Sequence, residues 1–307
     1  MIGFVLRRTL RGVVVVFAVA TAIFVLVRLT GDPASVYLPL DATQEQIETL
    51  RAELGLNLPW WEQYFRYIAN IATGDLGRSL IYAEPALDTV LSRLPATFQL
   101  TVAGLGLSLV IGVPLGVLSA LRHGRPTDST VVSTAVVLQN MPSFWLGIVL
   151  IAVFAVSLGW FPPAGGKGLV SLVLPAVTLG AYSIAAIIRL TRSSMLEVLS
   201  QSYIRTADAK GAGTRRRVGI HALPNALLPV LSFAGMQFGV LLGGSVVVEA
   251  VFAYPGMGSL VIQAVNARDF ALIQTFAVVV AALIVFINVV VDLLSAVVDP
   301  QLRSRLT

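Results

Sequence analysis

Six long apolar stretches constrain the fold of this chain more than any other feature of its sequence. A helix needs about 20 mostly apolar residues to cross about 30 Å of hydrocarbon. Six stretches reach that length: residues 9–29, 97–121, 129–157, 172–191, 226–248 and 270–298. They are longer than the roughly 10-residue strands of a membrane barrel and lack the alternating polarity of such strands. With 56% hydrophobic and 12% charged residues, the sequence predicts an all-α integral membrane protein with six transmembrane helices.

The positions of the basic residues predict the orientation of these spans. If the N-terminus is cytosolic, 14 of the 21 Lys and Arg residues lie on the cytosolic side and 7 on the other, although the longest loop is external. Cytosolic loops carry the excess of positive charge in membrane proteins, so both termini are predicted to be cytosolic. The net charge of +5 then follows from topology and lipid contact, and it requires no nucleic acid partner.

The start of the chain has one feature in common with a secretory signal peptide. Arg7, Arg8 and Arg11 precede the first apolar stretch, as basic residues precede the core of such a peptide. The stretch ends at residues 26–29, Leu-Val-Arg-Leu, without a small-x-small cleavage pattern. We therefore expect the first stretch to be an uncleaved span.

Residues 30–96 are predicted to form a partly helical extracytoplasmic insertion after the first span. Thr43 and Gln46 make a capping-box pattern, and Gly55 is placed to end the helix that follows. A second helix is expected from Pro59, and it carries aromatic residues typical of the membrane–water boundary: Trp60, Trp61, Tyr64, Phe65 and Tyr67. An interfacial anchor is favoured for this helix over direct contact with a substrate. A third amphipathic turn over residues 87–94 is expected to end at Pro95.

One cytosolic segment, residues 193–224, combines a helix, a stop and a basic cluster between two spans. Residues 200–210 are typical of a short amphipathic helix that ends at Gly211. The basic run 215–217 then leads to Pro224, which can open the fifth span. Taken alone, these residues favour a solvated connector over a docking surface, because cytosolic loops are generally basic.

The spacing of Gly211, Leu223 and Pro224 reverses that preference. It resembles the loop of permease subunits of binding-protein-dependent ABC importers, with the consensus Glu-Ala-Ala, three residues, Gly, nine residues and Ile-x-Leu-Pro. Residues 205–207, Arg-Thr-Ala, take the Glu-Ala-Ala positions and His221 takes the Ile position. These departures resemble the dipeptide/oligopeptide/nickel branch of the family. Further motifs in the same order extend the resemblance over nearly the whole chain: residues 31–34, 54–56, 74–79, 142–145, 254–258, 268–270, 291–293 and 299–300.

The resemblance implies the ABC importer permease fold and a non-catalytic subunit in a larger assembly. The implied partners are a second homologous permease, two ABC ATPase subunits, an extracytoplasmic substrate-binding protein, a peptide substrate and membrane lipid. No cofactor is expected in this chain, and ATP and Mg²⁺ would be used by the ATPase subunits. The candidate residues of the ATPase-coupling loop are Tyr203, Arg205, Thr206, Ala207, Asp208, Lys210, Gly211, Arg215, Arg216, His221, Leu223 and Pro224.

Small and polar residues within the spans are candidates for lining the passage or for packing helices together. Small residues at every fourth position let helix backbones approach closely, and polar side chains inside a membrane often mark function. The candidates are Asn140, Gly235, Gln237, Gly239 and Gly243. Ordinary packing within this chain stays open as the alternative for each of them.

Two other classes of membrane protein compete with this interpretation. An ion-coupled secondary transporter is expected to show inverted repeats or interrupted helices in matching halves, and the sequence shows no such repeat. An intramembrane serine protease would need a His at the depth of a Ser such as Ser245, but His123 and His221 both fall in cytosolic segments. The sequence also has no phosphate-binding Walker loop and no cysteine, so we expect neither an ATPase centre nor a cysteine metal site in it.

The expected organisation has four parts. Residues 1–29 form the N-terminus and first span, 30–96 the insertion, 97–298 a five-span core with the coupling loop 193–224, and 299–307 a cytosolic tail. A bacterial or archaeal cell membrane is the expected location. Dipeptides, oligopeptides, glutathione and nickel chelates stay open as substrates, because the resemblance implies that the binding protein makes the selection.

We predict that topology reporters fused at Gln44 and at Arg215 report opposite sides of the membrane. Gln44 follows the first span and Arg215 lies in the basic segment before the fifth, so the charge asymmetry places them on the external and cytosolic sides. Paired reporters, one active only outside and one only in the cytosol, check this. Activity of the same reporter at both sites would contradict the topology.

Overall fold

The computed structural model describes residues 2–30, 43–53, 55–165 and 168–298. These ranges contain all six apolar stretches that the sequence predicts to be spans. The expected cytosolic tail, residues 299–307, lies outside them, as do the motif residues 31–34 and Leu54.

Helices make up most of the described chain. We number them α1 (Ile2–Thr30), α2 (Gln44–Glu53), α3 (Trp60–Thr73), α4 (Ala86–Leu121), α5 (Pro126–Asn140), α6 (Ser143–Leu150), α7 (Val173–Leu199), α8 (Ser202–Ala209), α9 (Leu223–Val251), α10 (Met257–Asn266) and α11 (Phe270–Val298). Four short helical pieces join them: the π-helical Ile151–Ser157, the 3₁₀ turn Leu169–Leu172, the α turn Thr214–Arg216 and the π-helical Arg217–Ala222. Within the described ranges, β-pairing is limited to an isolated bridge between Arg78 and Pro85. The all-α prediction is confirmed.

Five helices of the described part are long and apolar enough to cross a membrane, or six if one bent pair counts as a span. The bent pair is Pro126–Asn140 with Ser143–Ser157, whose axes differ by 105°. The stretch 129–157 is therefore not one straight helix. The bend lies at Met141, which has φ −77° and ψ 128°, because a proline at the next position disfavours helical geometry in the residue before it.

The insertion after α1 agrees with the sequence in some details and differs in one. The capping box is confirmed, since the Thr43 amide donates to Gln46 Oε1 (3.0 Å) and the Gln46 amide donates to Thr43 Oγ1 (3.4 Å). Gly55 has a φ of +66°, as the predicted helix stop requires. The expectation that a turn ends at Pro95 is wrong, because α4 continues through Pro95 from Ala86 to Leu121. Membrane helices tolerate such a proline because neighbouring groups can satisfy the freed backbone oxygen.

The described residues form two compact units. The core unit contains residues 97–254 and the described residues from 287 onward, and the N-terminal unit contains residues 2–96 and 255–286. In the core unit, α7 packs against α5, α6 and α9. Its apolar window is 72% buried, compared with 22% for the window of α1. The helix α7 is thus the centre of the core unit.

Close backbone contact joins α4 to α7 within the core unit. The Ser108 hydroxyl lies 2.7 Å from the Gly104 oxygen and 3.0 Å from the Gly180 oxygen, to either of which it can donate. A Cβ added at Gly180 would lie 2.6 Å from the Gly104 oxygen, and one at Gly116 would lie 2.7 Å from the Ile188 oxygen. Small residues at these positions therefore let the two helices touch along their backbones, as is common between membrane helices.

In the N-terminal unit, α3 lies against α1 through aromatic side chains. The rings of Tyr64 and Tyr67 have centroids 5.4 and 5.5 Å from that of Phe24, and the Tyr64 hydroxyl lies 2.7 Å from Thr21 Oγ1. Three other large apolar side chains of α3 are exposed: Trp60, Trp61 and Phe65. These exposed aromatic side chains are consistent with the interfacial anchor expected from the sequence.

The buried carboxylate of Asp269 joins a loop of the N-terminal unit to the start of α11. Its Oδ2 accepts hydrogen bonds from Ser79 Oγ (2.6 Å) and the Leu80 amide (2.7 Å). Its Oδ1 accepts from the Leu272 amide (3.2 Å), which caps the N-terminus of α11. Asp269 therefore fixes the turn after residue 78 to this helix.

We predict that Gly180→Ala destabilises the protein more than Gly106→Ala does. The added methyl group at Gly180 meets the backbone oxygen of Gly104, whereas a Cβ at Gly106 meets nothing within 4 Å. Overpacking of this kind costs about 1–3 kcal/mol, while a helical Gly→Ala change alone is favourable by about 1 kcal/mol. Thermal unfolding of both variants in one detergent measures the difference, and equal midpoints would contradict the close contact.

Candidate functional site

The candidate site is the segment that joins α7 to α9, residues 200–222, which we call the α7–α9 loop. It contains α8, a turn at Gly211, the helical turn Thr214–Arg216 and the π-helical Arg217–Ala222. The predicted helix and its glycine stop are confirmed. The expectation that Pro224 opens the fifth span is wrong, because helical backbone is continuous from Thr214 to Val251 and Pro224 lies within it.

An apolar cluster fixes the base of this loop. Ile204 of α8 is only 3% exposed and is buried together with Ala120 of α4, Met195 of α7, Ala222 at the end of the π-helical turn and Ala226 of α9. Burying an isoleucine side chain contributes about 1.5–3 kcal/mol. The short helix α8 is therefore packed against three spans through Ile204.

The backbone at Gly211 ends α8 in the way that the sequence predicts. Gly211 has a φ of +80°, its amide donates to the Asp208 oxygen (2.9 Å), and the Ala212 amide donates to the Ala207 oxygen (3.1 Å). A left-handed residue at this position is the usual end of a helix, and glycine adopts it without strain. The turn directs the chain toward the basic residues that follow.

Two polar contacts hold the rest of the loop. Arg217 Nη1 pairs with Asp208 Oδ1, which ties the second half of the loop to α8. Asn225 Nδ2 donates to the Tyr203 hydroxyl (3.1 Å) and lies 3.0 Å from the His221 oxygen. Arg217, Asn225 and Ile204 were not among the candidates from the sequence, since each acts through a contact between turns that spacing alone does not reveal.

Most of the other candidate residues of the loop are exposed. Tyr203 keeps 44% of its surface accessible. The exposed candidates are Tyr203, Arg205, Thr206, Asp208, Lys210, Gly211, Arg215, Arg216 and Pro224, and the partly buried ones are Ala207, His221 and Leu223. The loop thus presents polar and basic groups outward from an apolar base, as a docking surface does.

Arg192, three residues before Met195 on α7, belongs to a partly buried ion pair. Arg192 of α7 donates from Nε to Asp128 Oδ1 (2.7 Å) and from Nη2 to Asp128 Oδ2 (2.8 Å). The carboxylate also accepts from the Ser119 hydroxyl and from the Gly124 amide. Arg192 Nη2 lies 2.8 Å from His123 Nδ1, and because an arginine only donates, Nδ1 accepts. The pair joins α5 to α7 through a bidentate contact.

The structure does not bring the candidates for the passage together into one site. A Cβ at Gly235 would lie 2.4 Å from Val291, so this glycine packs against α11, whereas a Cβ at Gly243 meets nothing within 4 Å. Gln237 is 5% exposed, and its Nε2 has no hydrogen-bond partner. Gly239 is buried, and Asn140 is exposed and donates to the Val136 oxygen (2.7 Å). Their assignment to a passage stays a prediction.

One fully buried carboxylate of the core unit was missed. Glu249 of α9 is 0% exposed. Its Oε1 accepts from the Thr97 hydroxyl (2.8 Å) and lies 3.0 Å from Ser245 Oγ, which can donate either to it or to the Leu242 oxygen (2.9 Å). It lies one residue beyond the apolar stretch 226–248, so the hydropathy of that stretch does not mark it. Across the described ranges, no group of three or more His, Asp or Glu residues is arranged to hold a metal ion.

Comparison with known families gives two matches that together cover most of the chain. Residues 112–304 match the family described as "Binding-protein-dependent transport system inner membrane component". Residues 1–101 match the corresponding N-terminal family, "Binding-prot-dependent transport system membrane comp, N-term".

The chain is also similar to a curated relative and, in its fold, to solved structures of ABC transporters. The chain is 39% identical over 306 residues to the glutathione transport system permease protein GsiC of Escherichia coli O6:H1, covering 99% of this chain and all of that one. A chain of the inward-facing MetNI methionine ABC transporter superposes with a TM-score of 0.61 at 23% identity, over 70% of this chain and 99% of that chain. A chain from the structure described as an amino acid ABC transporter with histidines gives a TM-score of 0.51 at 20% identity, over 68% of this chain and 93% of that chain. The structural matches show that the fold is shared.

We predict that Gly211→Val increases tryptic cleavage of the α7–α9 loop, whereas Gly213→Val does not. A left-handed conformation costs a residue with a side chain about 1–2 kcal/mol, which corresponds to roughly five- to thirtyfold more opening. No atom lies within 4 Å of a Cβ at either glycine, and Gly213 has a φ of −63° that valine adopts freely. Cleavage at Arg215 and Arg216 is measured by mass spectrometry. Equal rates for the two variants would show that the turn at Gly211 does not hold the loop.

Proposed function

This chain belongs to the family of inner membrane components of binding-protein-dependent transport systems, and from that membership we propose that its α7–α9 loop is the surface on which a cytosolic ATPase docks. It is a multi-pass permease subunit of an ABC importer of the peptide/oligopeptide/nickel type, in a bacterial inner membrane. Family membership favours this assignment over the two alternative classes, the ion-coupled carrier and the intramembrane protease.

The observation that carries the proposal is the division of the loop into a fixed base and an exposed surface. Ile204 anchors α8 in a cluster with residues of α4, α7 and α9, while Tyr203, Arg205 and Thr206 on the same helix are exposed. A segment that transmits force must be stiff and must also offer contact area. A connector would need neither property, and an exposed Tyr–Arg pair is of the type that dominates protein–protein contacts.

A movement of the loop would pass directly into the spans. The apolar base belongs to α4, α7 and α9, and the Asp128–Arg192 pair adds α5. Helices packed this closely shift as units, because packed interfaces do not deform continuously. We propose that closure of the ATPases around ATP displaces the loop, and that the spans then open the passage to the opposite side of the membrane.

The rest of the assembly follows from the family. Two ATPase subunits would supply ATP hydrolysis and bind Mg²⁺, a second permease would complete the passage, and an extracytoplasmic binding protein would deliver the substrate. The relatives named as glutathione permeases support a peptide-like substrate, since glutathione is itself a short peptide. Both termini are proposed to be cytosolic, as the charge asymmetry of the loops predicts.

The proposal is tested with the assembled importer in liposomes. We expect ATP hydrolysis to require the separate ATPase subunits, because the sequence has no phosphate-binding loop, and to rise when the binding protein brings its substrate. A panel of glutathione, dipeptides, oligopeptides and nickel chelates identifies that substrate. Gly211→Val should lose ATPase co-purification or the substrate-dependent rise, while Gly213→Val retains both. If Gly211→Val shows normal ATPase co-purification, normal stimulation of ATP hydrolysis by substrate and normal uptake, the loop is only a connector and the proposal fails.

A further inference from the structure

The N-terminal unit contains a cavity that the transport assignment does not use. Its volume is about 550 Å³, within the range of sites for small ligands. It lies among the end of α1, the helix α3, the loop at residues 75–78 and the start of α11. The residues of these elements that carry the argument are Arg28, Gln63, Arg66, Tyr67, Asp75 and Arg78.

Two arginines of the cavity wall offer donors to an anionic group. The described lining residues include three arginines, Arg28, Arg66 and Arg78, and one carboxylate, that of Asp75. Arg66 pairs with Glu62 through Nη2 (2.9 Å), and Arg78 Nη2 donates to the Ala83 oxygen (2.7 Å). Each guanidinium carries five N–H donors, so these contacts leave donors of Arg66 and Arg78 for a ligand.

Two buried polar groups in the wall lack a partner. Gln63 is 8% exposed, and its Nε2 donates to the Leu58 oxygen (2.7 Å) and the Leu56 oxygen (3.1 Å). These two donations fix the amide orientation, so the acceptor Oε1 is the atom left without a partner. The Tyr67 hydroxyl is also buried and without a partner. Burial of such groups is costly unless a ligand or water completes their hydrogen bonds.

The Tyr67 hydroxyl is available as a donor. Burial raises its pKa above the ordinary value for tyrosine, and the neighbouring Tyr64 raises it further. The group therefore stays protonated at neutral pH and can donate to an anion. The cavity thus combines donors on Arg66, Arg78 and Tyr67 with one fixed acceptor on Gln63.

The surroundings of the cavity are those of a membrane surface. The cavity lies where the apolar helix α1 ends and the apolar helix α11 begins. Leu26 and Leu29 near that end of α1 are exposed, as are Trp60 and Trp61 at the start of α3. Tryptophans of this kind lie at the depth of lipid headgroups, and exposed leucines offer contact to acyl chains.

We propose that this cavity binds the headgroup of a phospholipid, with its phosphate held by Arg66, Arg78 and Tyr67 and a headgroup hydroxyl or ammonium donating to Gln63 Oε1. The phosphate would accept from the remaining donors of the two arginines and from the unpartnered Tyr67 hydroxyl, and the headgroup donor accounts for the unpartnered amide oxygen. Position at the ends of two spans favours a lipid over a dissolved ion as the source of the phosphate. The lipid would belong to the external leaflet in the topology predicted above.

The test compares lipid binding to the purified, assembled importer by native mass spectrometry. Delipidated protein is titrated with phosphatidylethanolamine, phosphatidylglycerol or phosphatidylcholine, the last of which has the phosphate but no headgroup donor. We expect one molecule of either of the first two lipids to bind more tightly than phosphatidylcholine. Tyr67→Phe should weaken this binding about tenfold, because it removes one hydrogen bond to a charged group.

Tyr82→Phe is the matched control, since it removes a phenol hydroxyl of the same unit that bonds Gln263 (3.2 Å) and does not line the cavity. Arg66→Gln gives a second reading at an exposed side chain, whose loss should not impair folding. Equal binding of phosphatidylcholine, or wild-type binding by both Tyr67→Phe and Arg66→Gln, would overturn the proposal. Displacement of the lipid by millimolar inorganic phosphate would also overturn it, because the site would then take a dissolved anion.

Discussion

The bidentate contact between Arg192 and Asp128 is the interaction on which the arrangement of the core unit depends. The aspartate side chain is only 7% exposed and the arginine 24%, so neither charge is fully solvated. Removing one partner would leave the other as an uncompensated charge in a poorly solvated place. The contact therefore fixes where α5 begins relative to α7, before the chain reaches the bend at Met141.

Close packing along α7 extends this constraint through the core unit. Lipid is as apolar as a leucine side chain, so membrane helices associate through close contact and hydrogen bonds and not through the hydrophobic effect. Gly104, Gly116 and Gly180 provide that contact between α4 and α7, where added methyl groups would meet backbone or side-chain atoms. The α7–α9 loop rests on the cytosolic ends of the same helices by the predicted topology, and its base is shared among them. The same packed helices, α4, α7 and α9, thus hold both the spans and the base of the loop in place.

The sequence predicts the elements of this structure better than the contacts between them. Length and hydropathy are enough to find the spans, and local chemistry is enough to find the capping box at Thr43 and the stop at Gly211. Pro142 is enough to indicate a kink in the stretch 129–157, but it does not indicate the 105° size of the bend, because that depends on what α6 packs against. The continuation of α4 through Pro95 was missed because proline ends helices more often in water than in a membrane.

The polar contacts were the least predictable part of the candidate site. Asp128 and Arg192 are 64 positions apart, and nothing in their local patterns links them before α5 and α7 are packed. In the sequence, Ile204 is an apolar residue within a polar segment and has no distinguishing pattern. Its burial among residues of α4, α7 and α9 shows that it anchors α8. The exposed residues of the loop were predicted from the motif spacing of the family. The hydropathy of the sequence does not identify them.

The most direct test of the coupling account is site-specific cross-linking from α8. The chain contains no cysteine, so Thr206→Cys provides a single attachment point for a photoactivated cross-linker on the exposed face of the loop. In the assembled importer we predict cross-links from this position to the ATPase subunit, and none from Thr73→Cys, which is exposed at the end of α3. Absence of ATPase cross-links from Thr206→Cys in an assembly that still hydrolyses ATP on addition of substrate would contradict the account.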